Sequence, residues 1–273
     1  MNKVLVSGGA GQLGQVFSAL GAGACAEKNQ LLVLDRNHLD ISNRYSIDEA
    51  FQQYDPTVVI NAAAFTNVEQ AEVEPDRAFA VNTAAAELLA ERCVVYDVQL
   101  IHLSTDYVFD GQKGAAYEAH DEPNPINIYG SSKLAGERAV LAANPKAVIV
   151  RTSWLYSEFG ENFQTKIIRA AKEKLLKGER LRVVADQWGS PTYAPYLMRF
   201  LLSLSQEPQA YTANILHFSG NQVMSRLEMA EMLLSTALNR GELVELPSVV
   251  AASDGEYPTL AKRPRNSALK TSI

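Results

Sequence analysis

Five short apolar runs, at residues 4–7, 31–35, 57–61, 100–104 and 147–152, alternate with longer stretches of helical period through the first half of this chain. Strands separated by helices in this way build a parallel sheet with helices on both faces. Runs such as Val58-Val59-Ile60 and Val148-Ile149-Val150, apolar at consecutive positions, suit strands buried on both sides. Helices are expected at 12–20, 45–54, 78–95 and 131–143. The third is expected because Phe79-Ala80-Val81 and the run from Ala84 to Ala90 put apolar residues at helical spacing. After Arg151-Thr152 the alternation loosens into aromatic, turn-rich stretches at 154–163 and 188–196, with two further helices near 163–176 and 225–238. The pattern predicts a doubly wound α/β sheet with a smaller, less regular region laid against it.

Charge narrows the range of partners. With 25 Lys and Arg against 31 Asp and Glu, the net charge is −6, and no basic cluster marks a nucleic-acid backbone or an anionic membrane as partner. No apolar stretch approaches the ~20 residues that a bilayer requires, and the N-terminal residues carry no signal-peptide pattern, so a cytoplasmic location is expected. Cys25 and Cys93 are too few for a disulfide framework and read as idle thiols. His38, His102, His120 and His217 are scattered without ligand spacing, so no metal site is expected, and Met224, Met229 and Met232 read as core.

Gly8, Gly11 and Gly14 follow the first strand and open the first helix. Glycines there let the backbone approach a pyrophosphate, whose charge meets the free N–H groups of the helix end. Asp35, at the end of the second run, stands where an acid reads the free 2′-hydroxyl of NADH, whereas Arg36 could accept the 2′-phosphate of NADPH. Both nucleotides stay open.

Tyr129 and Lys133 lie one helical turn apart, which puts phenol and ammonium on one face. Bringing a phenol from ~10 two or three units toward neutrality takes roughly 3 to 4 kcal/mol, a load that a nearby cation can carry, and Tyr129 is therefore a candidate general acid. Ser104-Thr105-Asp106 follows the fourth strand, where a hydroxyl could hold a carbonyl oxygen for protonation. Asn61 to Ala64, after the third strand, offers small residues on which a cofactor can lie. Asn162, Phe163, Gln187 and Arg265 are further candidates for contact with a nucleotide diphosphate.

Together, the Gly8–Gly14 loop, Asn61-Ala62-Ala63-Ala64, Ser104-Thr105 and the Tyr129/Lys133 pair resemble the extended short-chain dehydrogenase/reductases. Finer blocks are Ser104-Thr105-Asp106-Tyr107-Val108-Phe109-Asp110-Gly111, Arg151-Thr152-Ser153-Trp154, Gln187-Trp188-Gly189-Ser190-Pro191-Thr192 and Arg263-Pro264-Arg265-Asn266-Ser267. These are similar to the dTDP-4-dehydrorhamnose reductases of that superfamily. The resemblance implies a Rossmann-like dinucleotide-binding domain over 1–152 and a mainly substrate-binding region over 153–273, with some segments returning to the sheet. It implies reduction of the C4 ketone of a dTDP-sugar by NADPH or NADH, with Tyr129 as proton donor, Lys133 on the nicotinamide ribose and Thr105 on the ketone oxygen. Asp106 and Trp154 would contact substrate. Gly11, Gln12, Leu13, Asp35, Asp40, Ile41, Ala63, Ala64 and Phe65 match the family's cofactor positions, and Leu103 matches one by its backbone.

Some family members form homodimers with Mg²⁺ at the contact; this sequence singles out no carboxylates for it, and both stay open. The family pattern also continues beyond Asn266-Ser267 into a closing helix that is absent before Ile273. Dehydratases of the superfamily carry an acid after Thr-Asp, where this chain has Tyr107, and epimerases carry a Ser-Ser-Ala type of turn, which favours reduction. A reductase of a related nucleotide 4-keto-deoxyhexose is one alternative. The other is a non-catalytic, NADP-binding regulatory subunit of the methionine adenosyltransferase type.

Overall fold

The computed structural model describes residues 2–24, 30–207, 214–257 and 259–272, so Cys25 lies outside the described residues. In chain order the first part runs β1 (Lys3–Ser7), α1 (Gln12–Ala24), β2 (Gln30–Val33), α2 (Arg44–Tyr54), β3 (Val58–Asn61), α3 (Val68–Val73), α4 (Pro75–Phe79), α5 (Ala85–Val95), β4 (Gln99–Thr105), α6 (Ile128–Ala143) and β5 (Val148–Thr152). The second part adds β6 (Leu155–Tyr156), α7 (Phe163–Lys177), β7 (Leu181–Val184), β8 (Trp188–Gly189), β9 (Thr192–Tyr193), α8 (Ala194–Gln206), β10 (Ile215–His217), β11 (Met224–Ser225), α9 (Arg226–Asn239) and β12 (Val249–Ala252).

Six strands form one parallel sheet in the order β10-β5-β4-β3-β1-β2. From β2 the chain crosses back over β1 to β3, so the strand order reverses between β1 and β3, and that is where an open α/β sheet leaves a crevice at its carboxyl edge. One face is packed by α1 and α8 around Val6, Phe17, Ile60, Leu197 and Leu201. On the other, α2, α5 and α6 pack around Leu5, Val59, Leu89, Leu100 and Val140. The fold is the doubly wound α/β sheet expected from the alternation of runs.

Helix α8 escaped the sequence reading because Tyr193-Ala194-Pro195-Tyr196 looks like a turn. Proline in the first turn is compatible with a helix start, since its missing N–H would have no partner there, and Leu197, Met198, Leu201, Leu202 and Leu204 then bury one stripe. The single helix expected over 78–95 is also corrected. It begins as α4, widens into a π turn at Ala80–Ala84 and resumes as α5. Asn82 explains the widening. Its side chain receives the Phe65 N–H at 2.8 Å and donates to the Phe65 carbonyl at 3.0 Å and to Ser132 Oγ at 3.0 Å. Helix α6 approaches so closely that a Cβ on Gly136 would fall 2.0 Å from the Asn82 carbonyl oxygen.

The smaller region has its own core, in which α7 and α9 pack on the parallel pair β7 and β12 through Ile167, Ala171, Val183, Met229 and Leu233. Met224 and Met232 pack against it, as read from the sequence. Cys93 is fully buried, and burial pushes its thiol up, consistent with an idle group.

Candidate active site

A cleft of about 1070 Å³ opens at the carboxyl edge of the sheet, beside the reversal point. Its first wall is the loop between β1 and α1, with Gly8, Gly11, Gln12, Leu13 and Gly14 all lining it. Gly8 has φ +74°, and a Cβ there would sit 2.8 Å from the Ala63 nitrogen. A Cβ on Gly14 would fall 2.4 Å from the Gly8 carbonyl oxygen. Only glycine lets this loop fold against its neighbours and open α1 at the cleft, which fits a bound pyrophosphate. Ala63, Ala64 and Phe65 form the adjoining wall, pinned through Phe65 by Asn82.

Arg36, Asp40 and Ile41 line the far end. Arg36 donates from Nε and Nη2 to Asp40 Oδ2, both at 3.2 Å. Asp35 is placed differently from the expectation. Its carboxylate caps the turn after β2, accepting from the Asn37 and His38 backbone N–H groups at 3.0 and 3.2 Å and meeting His38 Nδ1 at 2.7 Å. The hydrogen bond from His38 holds that carboxyl below its ordinary range, and Asp35 does not line the cleft.

The reactive hydroxyls meet at the other end. Asn127 caps α6 by accepting the Gly130 N–H at 2.7 Å, which starts the helix at Ile128, three residues before the expected start, and sets Tyr129 in its first turn. Gly130 lets that turn press against the Tyr107 carbonyl, 2.1 Å from where a Cβ would stand. Tyr129 thereby meets the Thr105 hydroxyl, while burial pushes the phenol up against that hydrogen bond. Thr105 Oγ1 accepts the Tyr107 N–H at 3.2 Å and donates to Asp106 Oδ1 at 3.1 Å. Lys133 does not sit on the phenol as the spacing suggested. Its Nζ donates to the Leu103 carbonyl at 2.7 Å and lies 3.4 Å from His102 Nε2. Burial therefore dominates at Tyr129, and a phenol kept protonated at neutral pH suits a proton donor.

Asp106 and Trp154 complete the cleft. Among the described residues, Asp106 Oδ2 is buried without a hydrogen-bond partner, and so is Thr152 Oγ1 on the same wall. Trp154 holds a left-handed φ of +46°, with the Arg226 guanidinium 3.5 Å from its ring centroid and Gly189 so close that a Cβ would overlap the indole. Arg226 was not singled out from sequence, since it stands 72 residues beyond Trp154 with no neighbouring motif. Of the diphosphate candidates, Phe163 lies near this guanidinium, 5.2 Å from ring to cation. Asn162 is the buried cap of α7, Gln187 is tied to Asp254 at 2.5 Å, and Arg265 is exposed. Among the described residues, no three His, Cys, Asp or Glu side chains gather as a metal site, and no residues are assigned to Mg²⁺.

Burial pushes the Asp106 carboxyl up to about 6, opposed by hydrogen bonds from Ser267 and Thr105 and by the Arg226 charge. The folded state thus holds this proton more tightly than the unfolded chain does, so stability falls as pH rises from the ordinary 3.8 through about 6 and stays lower above. Asp106→Asn should accordingly be more stable than the parent by roughly 3 kcal/mol near neutral pH, with most of the difference gone near pH 4. Thermal melts at both pH values check this, and parallel curves would show that burial of Asp106 carries no such cost.

The whole chain, residues 1–273, matches the RmlD substrate binding domain family. It is 38% identical over 272 residues to a dTDP-4-dehydrorhamnose reductase of Aggregatibacter actinomycetemcomitans, covering 98% of this chain and 90% of that one. The corresponding protein of Sinorhizobium fredii is 39% identical, over 95% and 86% of the two chains. Among solved structures, the dTDP-4-dehydrorhamnose reductase of Bacillus anthracis in complex with NADP superposes with a TM-score of 0.89 at 35% identity, covering 100% of this chain and 92% of that one. A glycine cradle, a phenol beside a threonine hydroxyl and similarity that runs from end to end agree: the chain belongs to the dTDP-4-dehydrorhamnose reductase family of NAD(P)H-dependent oxidoreductases.

Proposed function

We propose that this protein reduces the C4 ketone of dTDP-4-dehydro-6-deoxy-L-mannose to dTDP-L-rhamnose at the expense of NAD(P)H, for use in cell-surface polysaccharide. The observation that carries the reading is the meeting of Tyr129 and Thr105 in a cleft whose other end is a glycine-lined helix start. In this reading Gly8, Gly11, Gln12, Leu13 and Gly14 take the pyrophosphate, and Arg36 and Asp40 take the adenosine ribose. Ile41, Ala63, Ala64, Phe65 and the Leu103 backbone flank the dinucleotide, and Lys133 reaches the nicotinamide ribose. When bound, the nicotinamide supplies the hydride that C4 receives. Thr105 holds the ketone oxygen, and Tyr129 delivers its proton to that oxygen as charge develops on it. Asp106, with its unpartnered oxygen, and Trp154 face the sugar. Arg226 brings positive charge beside Asp106 for the diphosphate.

Residues 1–152 would then carry mainly the cofactor and 153–273 mainly the substrate. No helix among the described residues is long and apolar enough to cross a membrane, and a cytoplasmic setting is proposed, where the nicotinamide pool is at hand. The test is NADPH and NADH oxidation with the keto sugar formed in situ. Turnover supports the reading, and cofactor binding without turnover would overturn it.

Cofactor choice follows from the placement of Arg36 in the cleft and of Asp35 outside it. Arg36→Ala should weaken NADPH binding about tenfold, the scale of one lost charged hydrogen bond, and change NADH binding by less than about twofold. Nucleotide titrations read both, and equal losses would take Arg36 off the 2′ position.

A further inference from the structure

A helix N-cap needs only an acceptor, and serine, threonine or aspartate serve there much as asparagine does. Asn162 does more than cap. Its Oδ1 accepts the Gln164 N–H at 2.9 Å and the Thr165 N–H at 3.4 Å, which starts α7. Backbone amides can only donate, so the side chain cannot flip end for end. Its Nδ2 group then faces the chain before the helix and donates to the carbonyls of Ser157 at 2.9 Å, Phe159 at 3.0 Å and Gly160 at 3.4 Å. One buried amide, 8% exposed, thus gathers the loop 157–161 to the head of α7.

The gathered loop is laid on the start of α1. Gln12, the first residue of that helix, donates from Nε2 to Ser157 Oγ at 3.1 Å. Phe159 packs against the cluster that holds Leu13 and Val16. Gly160 has φ +67°, and a Cβ on it would stand 3.2 Å from Gln12 Cα, so the turn calls for glycine both by conformation and by approach. Gly160 and Glu161 line the same cleft as Gly8, Gly11 and Gly14. The Glu161 carboxylate is met by Arg169 at 3.0 Å, which offsets its charge at that wall. Asn162 does not line the cleft, and with both N–H bonds and its oxygen engaged it has nothing to offer a phosphate.

We propose that Asn162 is a positioning residue for the dinucleotide: it holds the 157–161 loop against the start of α1 as a wall of the cleft, and so slows the release of NADPH and NADH without touching either. This role rests on reading the glycine end of the cleft as the dinucleotide site. Asparagine is required because the position must accept from α7 and donate to the loop at once.

Asn162→Asp separates the two tasks. The ionised carboxylate keeps an acceptor for α7, has no N–H for the loop and sets a charge against its carbonyl oxygens. Release of NADPH, chased with excess NADP⁺ and followed by nicotinamide fluorescence, should become about tenfold faster, the scale of one or two net hydrogen bonds. A glutamate-specific protease, its products identified by mass, should cut faster after Glu158 and Glu161 in the loop and at an unchanged rate after Glu91 in α5 and Glu231 in α9. Release within about twofold of the parent overturns the proposal, and so does faster release with cleavage raised at all four sites, which marks a general loosening. Should Asn162→Asp fail to fold, Ser157→Ala decides, since it removes the bond to Gln12 and leaves Asn162 whole: release about threefold faster or more supports the role, and an unchanged rate overturns it. A parent protein that binds neither nucleotide overturns the dinucleotide reading itself and the role of Asn162 with it, whereas a parent that binds alongside an unchanged variant overturns the role alone.

Discussion

Tyr129→Phe should lower turnover with the keto sugar by about 10²- to 10⁴-fold, the range that a positioned proton donor contributes, while NADPH binds within about twofold of the parent. The ring keeps its edge contact with Tyr107, centroids 5.7 Å apart, so the start of α6 has no reason to move. What is lost is the one phenolic O–H beside Thr105. Because kcat and kcat/KM should fall together, the interaction removed belongs to the transition state and not to substrate affinity. Single-turnover rates with saturating NADPH are the measurement. Turnover within about threefold of the parent would move the proton donor elsewhere in the cleft.

The second large effect lies beneath the site. Arg151 and Glu137 form a buried pair, each side chain 2% exposed, with Arg151 Nε and Nη2 donating to the two carboxylate oxygens at 2.9 and 2.7 Å. The guanidinium also lies 5.2 Å from the Phe109 ring centroid. Arg151→Met would leave a carboxylate inside the fold with Ser104 as its remaining hydrogen-bond donor among the described residues, and should cost about 3 to 5 kcal/mol. Arg151→Met with Glu137→Leu should recover most of that, since two apolar side chains replace the pair and no charge is stranded. Urea denaturation of both variants makes the comparison. A single variant as stable as the parent would show that water reaches Glu137.

The sheet was legible from sequence because strands covered on both faces are mostly apolar along their length, and runs such as Val148-Ile149-Val150 therefore stand out. The glycine loop and the Tyr129/Lys133 spacing were legible for a similar reason, since their chemistry depends on neighbours within a few residues. Partners brought by tertiary packing were not. Asn82 looks like a polar residue in an ordinary helix until Phe65 and Ser132 arrive on either side of it. His102 reads as scattered because its partner Asn61 is 41 positions away, on the adjacent strand. Asp35 was read from its place at the end of a strand, but the chain turns there and the carboxylate finds nearer donors in Asn37 and His38. Helix α8 was hidden by Pro195 and its flanking tyrosines, although its apolar stripe is as regular as any in the chain.

The late position of α8 matters during synthesis. A ribosome that has made β1 to β5 has delivered every strand from the reversal point to β5, yet the face shared by α1 and α8 is only half covered. Val58, Ile60, Val148 and Val150 on that face pack in the cluster to which Leu197, Leu201 and Leu204 of α8 belong, and α8 is complete only 54 residues after β5 ends. At about 5 to 20 residues per second that interval lasts roughly 3 to 11 s. For that time the nascent chain displays a sticky sheet surface, which gives a chaperone at the exit tunnel its window to bind.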